Sequence, residues 1–339
     1  MKIPPTPRSL FGDLPLAVYR IGCQIVQHTD RGNDGHSATA SESLSQHNAS
    51  FRQSLYWGSA WRGLLGWELR RILCPFPRMP VCKSCLIRRS CPYFRLMEDR
   101  SDDLRIQDAP RGYVLYPSTN GDANRLNLDI TLFGECIRYA PVVFKALQNG
   151  EKTGLGAART PYVLLSVQEK TPRGPTRDIP LDFDRYTDFG LGAPLSEWLS
   201  ESHPAGTALT CRLITPVRLR KNGKYLGRMD WKYFFATLVR RLESLGCLFA
   251  SGEFLGKERF LEILDGFSDL NPKAENLRWH DYTRWSNRQR RKVPMGGLVG
   301  EAWFEIEDEA LWHWFAAARI AHVGKGASMG LGKIEASDG

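Results

Sequence analysis

The chain has 339 residues, 42% of them hydrophobic and 24% charged, which suits two cores of roughly 150 residues each and excludes a disordered chain. Its net charge of +9 favours polyanionic partners, because Lys and Arg displace counterions from phosphates. No run of about 18 apolar residues is present, so no membrane span is expected; the start Met1-Lys2-Ile3-Pro4-Pro5 has no apolar signal core, and a cytoplasmic protein is the expectation.

Leu14 to Val26 is rich in apolar and β-branched residues and predicts a strand. Residues 28–50, full of His, Ser, Asn and Gly without periodicity, predict a long loop. Tyr56 to Leu73 predicts an amphipathic helix: Trp57, Trp61, Leu64, Leu65, Leu69 and Leu73 recur at helical spacing, with Arg62, Arg70 and Arg71 among the polar positions. Gly112 to Tyr116 and Leu126 to Phe133 predict two strands joined through Asn120-Gly121-Asp122. Ile137 to Leu147 predicts a helix ending at Asn149-Gly150, and Tyr162 to Gln168 another strand. This βαββαβ order is the ferredoxin-like arrangement.

After a Pro-, Gly- and Asp-rich stretch with a short helix near Leu195 to Leu199, the order recurs. Leu209 to Leu219 predicts a strand and Trp231 to Leu245 a helix. A polar insertion then runs from about 246 to 275, with a helix near Phe260 to Leu264. Arg278 to Trp285 and Gly300 to Glu305 predict strands, Leu311 to Ala321 a helix and Lys333 to Ala336 a last strand. The fold class predicted is α+β: two tandem ferredoxin-like domains, residues 1–175 and 207–339, with a linker at 176–206. Each helix pair would cover one face of a four-stranded sheet and leave the other for a partner.

Four of the eight cysteines fall within residues 74–91. In a cytosolic chain, clustered Cys reads as metal binding. Cys74, Cys82, Cys85 and Cys91, with a Cys-x-x-Cys turn at the centre, suit a closed tetrahedral site for structural zinc, or alternatively an iron–sulfur cluster; all-Cys ligation leaves no open position for a catalytic metal. A knuckle over 74–95 is expected, with Lys83, Arg88, Arg89 and Arg95 on its surface. Cys23, Cys136, Cys211 and Cys247 lie among apolar neighbours, as small buried hydrophobes do.

Residues 322–332, His-Val-Gly-Lys-Gly-Ala-Ser-Met-Gly-Leu-Gly, hold the most chemistry. Glycine lets backbone amides approach a ligand, so Gly324, Gly326, Gly330 and Gly332, with Lys325 and Ser328, are candidate phosphate contacts. The Lys precedes most of the glycines, which does not fit a nucleotide P-loop. A second candidate interface is basic and aromatic: Tyr282, Arg284, Arg288, Arg290, Arg291 and Lys292 beside Trp279 and Trp285, a mixture that suits stacking on bases and pairing with phosphates. Arg218, Arg220, Lys221 and Lys224 are further candidate phosphate contacts.

These segments resemble, in order along the chain, the CRISPR precursor-RNA-processing endoribonucleases of the RAMP superfamily. Residues 322–332 are similar to their glycine-rich loop. Trp61-Arg62-Gly63-Leu64-Leu65-Gly66 resembles the Leu-Arg-Gly-x-x-Gly helix of one branch. Cys82-Lys83-Ser84-Cys85-Leu86 through Cys91-Pro92-Tyr93 resembles that branch's cysteine segment, Thr215-Pro216-Val217-Arg218-Leu219 its second-domain opening strand, and Tyr282 to Gln289 with Gly296 to Gly300 its tyrosine–arginine and double-glycine region.

The resemblance implies two ferredoxin-like domains and cleavage of a CRISPR repeat RNA without a catalytic metal. The ribose 2′-hydroxyl would be the nucleophile, giving a 2′,3′-cyclic phosphate and a 5′-hydroxyl. A His suits the base. The family's usual window, between the first strand and first helix, holds His28, His36, His47 and Tyr56; His47 and Tyr56 lead there, and His322 is the rival, with a packed residue closing the last helix as its plainer reading. Implied partners are CRISPR repeat RNA or mature CRISPR RNA and other effector subunits. Two alternatives stand beside the nuclease: a non-cleaving RAMP subunit that holds the mature RNA, and a zinc-stabilised DNA-binding protein. The second lacks a recognition helix after the cysteines.

Overall fold

The computed structural model describes residues 4–26, 57–76, 81–98, 109–119, 122, 124–186, 188–199, 207–286, 291–306 and 308–338. After a short helix α1 (Pro7–Phe11), strand β1 (Pro15–Ile25) alternates buried and half-buried residues. Helix α2 (Gly58–Leu73), helix α3 (Pro92–Met97), strands β2 (Tyr113–Thr119) and β3 (Arg125–Phe133), helix α4 (Ala140–Thr153) and strand β4 (Tyr162–Lys170) follow. The strands lie in the antiparallel order β2-β3-β1-β4. Helices α2 and α4 seal one face through Trp61 against Tyr162 (ring centroids 4.8 Å apart) and Phe144 against Tyr19 (5.0 Å).

The second unit repeats this permutation. Strand β7 (Ala208–Val217) leads through a hairpin of β8 (Arg220–Lys221) and β9 (Lys224–Tyr225) to helix α6 (Trp231–Phe249), which the Asp230 carboxylate caps by accepting from the Tyr233 amide. Helix α7 (Lys257–Asp265), strand β10 (Ala274–His280), the hairpin β11 (Thr283–Ser286) and β12 (Arg291–Pro294), strand β13 (Gly297–Glu305), helix α8 (Glu309–Ala321) and strand β14 (Ile334–Asp338) complete it. The sheet order is β10-β13-β7-β14. Phe235 stacks on Phe267 (4.5 Å), and Trp231 and Phe315 pack on Phe304 (4.9 and 5.2 Å) to form its core. No described helix is long and apolar enough to cross a membrane.

Three differences from the sequence expectation have physical causes. Helix α4 runs through Asn149-Gly150 to Thr153, because Gly150 is there for helix packing: a Cβ on it would lie 2.7 Å from a Leu64 methyl of α2. Gly154, at φ +75°, ends the helix instead. The stretch predicted as a linker contributes strands, β5 (Arg177–Ile179) on the edge of β4 and β6 (Ala193–Pro194) on β1, and then α5 (Leu195–Leu199). The strand predicted from Arg278 to Trp285 divides at Asp281-Tyr282 into β10 of the main sheet and β11 of a separate hairpin.

Candidate nucleic-acid interface at the domain seam

Residues 322–332 form the link between the two units. Along one side the loop is stitched to the end of β7. The Lys325 amide donates to Arg218 O (2.9 Å), the Gly332 amide to Pro216 O (3.0 Å) and the Thr215 hydroxyl to Gly330 O (2.7 Å). On the other side the loop touches the N-terminal unit. A Cβ on Gly330, whose φ is +82°, would sit 2.6 Å from Leu115 O of β2, and one on Gly58, at the start of α2, 1.8 Å from Met329 O. Both positions therefore require glycine. The amides of Gly326, Ala327 and Ser328 donate to no acceptor among the described residues.

His322, Gly324, Lys325, Gly326, Ser328, Gly330 and Gly332 are thus brought together, in two different environments. His322 is 3% exposed; its Nδ1 lies 3.1 Å from Leu331 O and its ring meets the edge of Tyr116 at 5.8 Å. Burial first, then the charges of Lys333 and Arg241, hold its pKa well below the ordinary His value, so the ring is neutral at pH 7. The structure gives His322 the packed role at the end of α8 and no exposed position from which to act on a ligand. Lys325, Gly326 and Ser328 are half-buried.

Beside the loop lies an arginine group. Arg218 is 5% exposed, which corrects its reading as a phosphate contact: its guanidinium donates to Gly296 O (2.9 Å) and Pro294 O (3.1 Å) and lies 4.4 Å over the Tyr225 ring. It fixes the double-glycine region and the β11–β12 hairpin to β7. Arg284, on β11, and Arg62, on the first turns of α2, are half-buried, and the Nε of each is buried without a hydrogen-bond partner. Burial lowers the pKa of Arg284, and Arg62 and Arg218 lower it further, so the three cations share one neighbourhood. Tyr282 is half-buried, and its carbonyl accepts from the Met295 amide (2.8 Å). Arg291 and Lys292 lie exposed on β12, paired in register with Ser286 and Trp285. His47, Tyr56, Arg288 and Arg290, with His28 and His36, lie outside the described residues. Arg62 was missed as a site residue because a helical Arg reads as solvated; its place after Trp61 within a glycine-flanked turn was the available signal.

Cys74, Cys82, Cys85 and Cys91 are half-buried free thiols. The Cys85 amide closes the Cys-x-x-Cys turn on Cys82 O (3.1 Å), and Cys74 and Cys91 are near enough to help raise the Cys82 thiol, after burial and Glu98. Yet among the described residues no three His, Cys, Asp or Glu side chains are grouped so as to hold a metal ion. As they stand, the four thiols do not converge on one point. Arg88 is turned back onto Lys83 O (2.6 Å) and Arg95 is paired with Glu135. Cys23, Cys136 and Cys211 are buried as expected, and Cys247 is half-buried.

The fold is a tandem ferredoxin-like α+β arrangement. Residues 211–334 match the family model of the CRISPR-associated endoribonuclease Cas6, and residues 45–183 match a family model described as an N-terminal domain. A Thermus thermophilus Cas6 in a product complex superposes with a TM-score of 0.54 at 18% identity, covering 95% of this chain and 99% of that one. A second Cas6 in a product complex gives 0.51 at 16% identity, with coverage of 95% and 99%. No curated protein matches the sequence significantly. Residues 211–334 thus resemble the Cas6 family model, and the chain shares the fold of these Cas6 structures.

Proposed function

We propose that the chain binds a CRISPR repeat RNA along the domain seam and cuts it once within the repeat. The observation that supports this reading best is the group of Arg62, Arg284, Lys325 and the amides of Gly326 to Ser328, cationic and donor-rich, set between the units of a Cas6 fold. The chemistry proposed needs no catalytic metal. The ribose 2′-hydroxyl attacks the adjacent phosphorus while a base takes its proton, the 5′-oxygen leaves with a proton from an acid, and the ends are a 2′,3′-cyclic phosphate and a 5′-hydroxyl. His47 is the base of this reading and Tyr56 its neighbour at the reacting phosphate. His322, buried and neutral, serves by holding the loop. Seam cations and amides would take the charge that grows on the phosphate oxygens.

The test is incubation of the purified chain with labelled repeat RNA in EDTA, beside RNAs carrying one 2′-deoxy residue at each candidate position. Discrete cleavage abolished by a single deoxy substitution, and by His47→Ala with RNA binding retained, is the expected result. Cleavage that requires a divalent cation contradicts it. Binding without cleavage selects the second reading, a non-cleaving subunit that holds the mature RNA beside other CRISPR proteins. One observation favours that reading: His313 and His322, two of the described histidines, are 3% exposed, so neither presents its ring at the surface. A cytoplasmic location belongs to the same proposal. For the four cysteines we propose structural zinc, which would have to draw the thiols together. Zinc content near one per chain, lost on Cys82→Ser, supports it; metal-free folded protein opposes it.

A further inference from the structure

We infer that Arg62 and Arg284 form one anion site across the seam, which takes a single phosphodiester of the RNA and so clasps the two domains together. The inference rests on the RNA-binding reading above and adds which groups act as a unit. Arg62 belongs to the N-terminal unit: it lies one turn after Gly58, whose α-carbon is pressed against Met329 O of the loop. Arg284 belongs to the C-terminal unit: its neighbour Thr283 pairs with Pro294, and the Pro294 carbonyl is held by Arg218. The loop thus holds the segment that carries Arg62, and Arg218 holds the hairpin that carries Arg284.

Their surroundings differ from those of the arginines that are paired with carboxylates. Arg20 is bonded to Asp129, Arg177 to Glu169, Arg212 to Glu301 and Arg240 to Glu243. Arg62 and Arg284 have no such carboxylate among the described residues. The Nε of each is shielded from solvent without an acceptor, and the groups acting on Arg284 are two further guanidinium groups and one phenol. Two half-buried like charges held together cost free energy, which a shared anion removes. Arg218 is committed elsewhere: it is 5% exposed, and its guanidinium donates to Gly296 O, Pro294 O and Met295 Sδ. A phosphodiester suits the pair chemically: it has two non-bridging oxygens, one for each guanidinium, and a single negative charge.

The experiment measures binding of labelled repeat RNA to the full chain over a salt series for the wild type, Arg62→Gln, Arg284→Gln and the double variant, with the melting temperature of each free protein. One shared phosphate predicts that each single change weakens binding roughly tenfold, and that the double change adds little to either. The salt slope should fall by about one in all three variants. The free Arg284→Gln protein should melt no lower than the wild type, since a repulsion is removed. Losses that multiply in the double variant mean two separate phosphates and overturn the clasp while leaving RNA binding intact. Melting temperatures that fall in step with affinity mean a structural role and also overturn it. Stabilisation by inorganic phosphate with RNA affinity unaltered in both single variants assigns the site to a free anion, against the inference. A wild-type chain that binds no repeat RNA defeats the RNA reading and the clasp together.

Discussion

The two ends of the domain seam handle polar groups in opposite ways. Around His322 most groups are satisfied within the protein, Arg241 Nη2 excepted: Nδ1 meets Leu331 O, the Thr215 hydroxyl donates to Gly330 O while accepting from the Lys333 amide, and Lys333 Nζ reaches Arg319 O. Around Arg284 they are not: two guanidinium groups stand half-buried with Nε unpaired. A satisfied end costs little to bury and serves as a hinge-free joint. An unsatisfied end is expensive unless a ligand completes it. The contrast separates the residues that build the seam from those that the proposed reading assigns to RNA, although both sets come from one glycine- and arginine-rich sequence class.

The sharpest way to break this comparison is to force the joint apart. Gly58→Val places a side chain into Met329 O and should destabilise the chain by about 3 kcal/mol, read by urea unfolding, because backbone must move. Arg218→Ala should follow at about 2–3 kcal/mol, since it leaves the Pro294 and Gly296 carbonyls without their donor and frees the hairpin. Wild-type stability after Arg218→Ala would move Arg218 from the joint to the ligand set. The smallest effect is a pH dependence. His322 has a folded-state pKa far below its ordinary value, so the unfolded chain takes up the proton first as pH falls. Stability from this group is present above the unfolded-state value of about 6.5 and is lost below it, by at most about 1.4 kcal/mol per pH unit. His322→Asn should flatten that slope between about pH 7 and about pH 5.5, measured by urea midpoints.

The double βαββαβ order was legible because each long strand alternates in burial and each long helix carries an apolar stripe, as in Val18 to Cys23 and Phe234 to Leu245. The strands Arg177–Ile179 and Ala193–Pro194 were not, since so few residues show no period and their pairing depends on distant edges. Among the site residues, the glycines of the loop and Arg284 were readable from local composition. The role of Arg62 was not, because it depends on a partner in the other domain. Nor was the burial of His322, which Tyr116 of β2 imposes from across the seam. The cysteine spacing proposed a convergence that the described side chains do not make.

The most direct measurement of the seam as the RNA interface is hydrogen–deuterium exchange of the full chain with and without repeat RNA. The account predicts slowed exchange in three places together: residues 322–332, the β11–β12 hairpin and the first turns of α2. Protection confined to the outer surface, such as the exposed stretch around Leu86 and Trp67, with the seam unchanged, would contradict it.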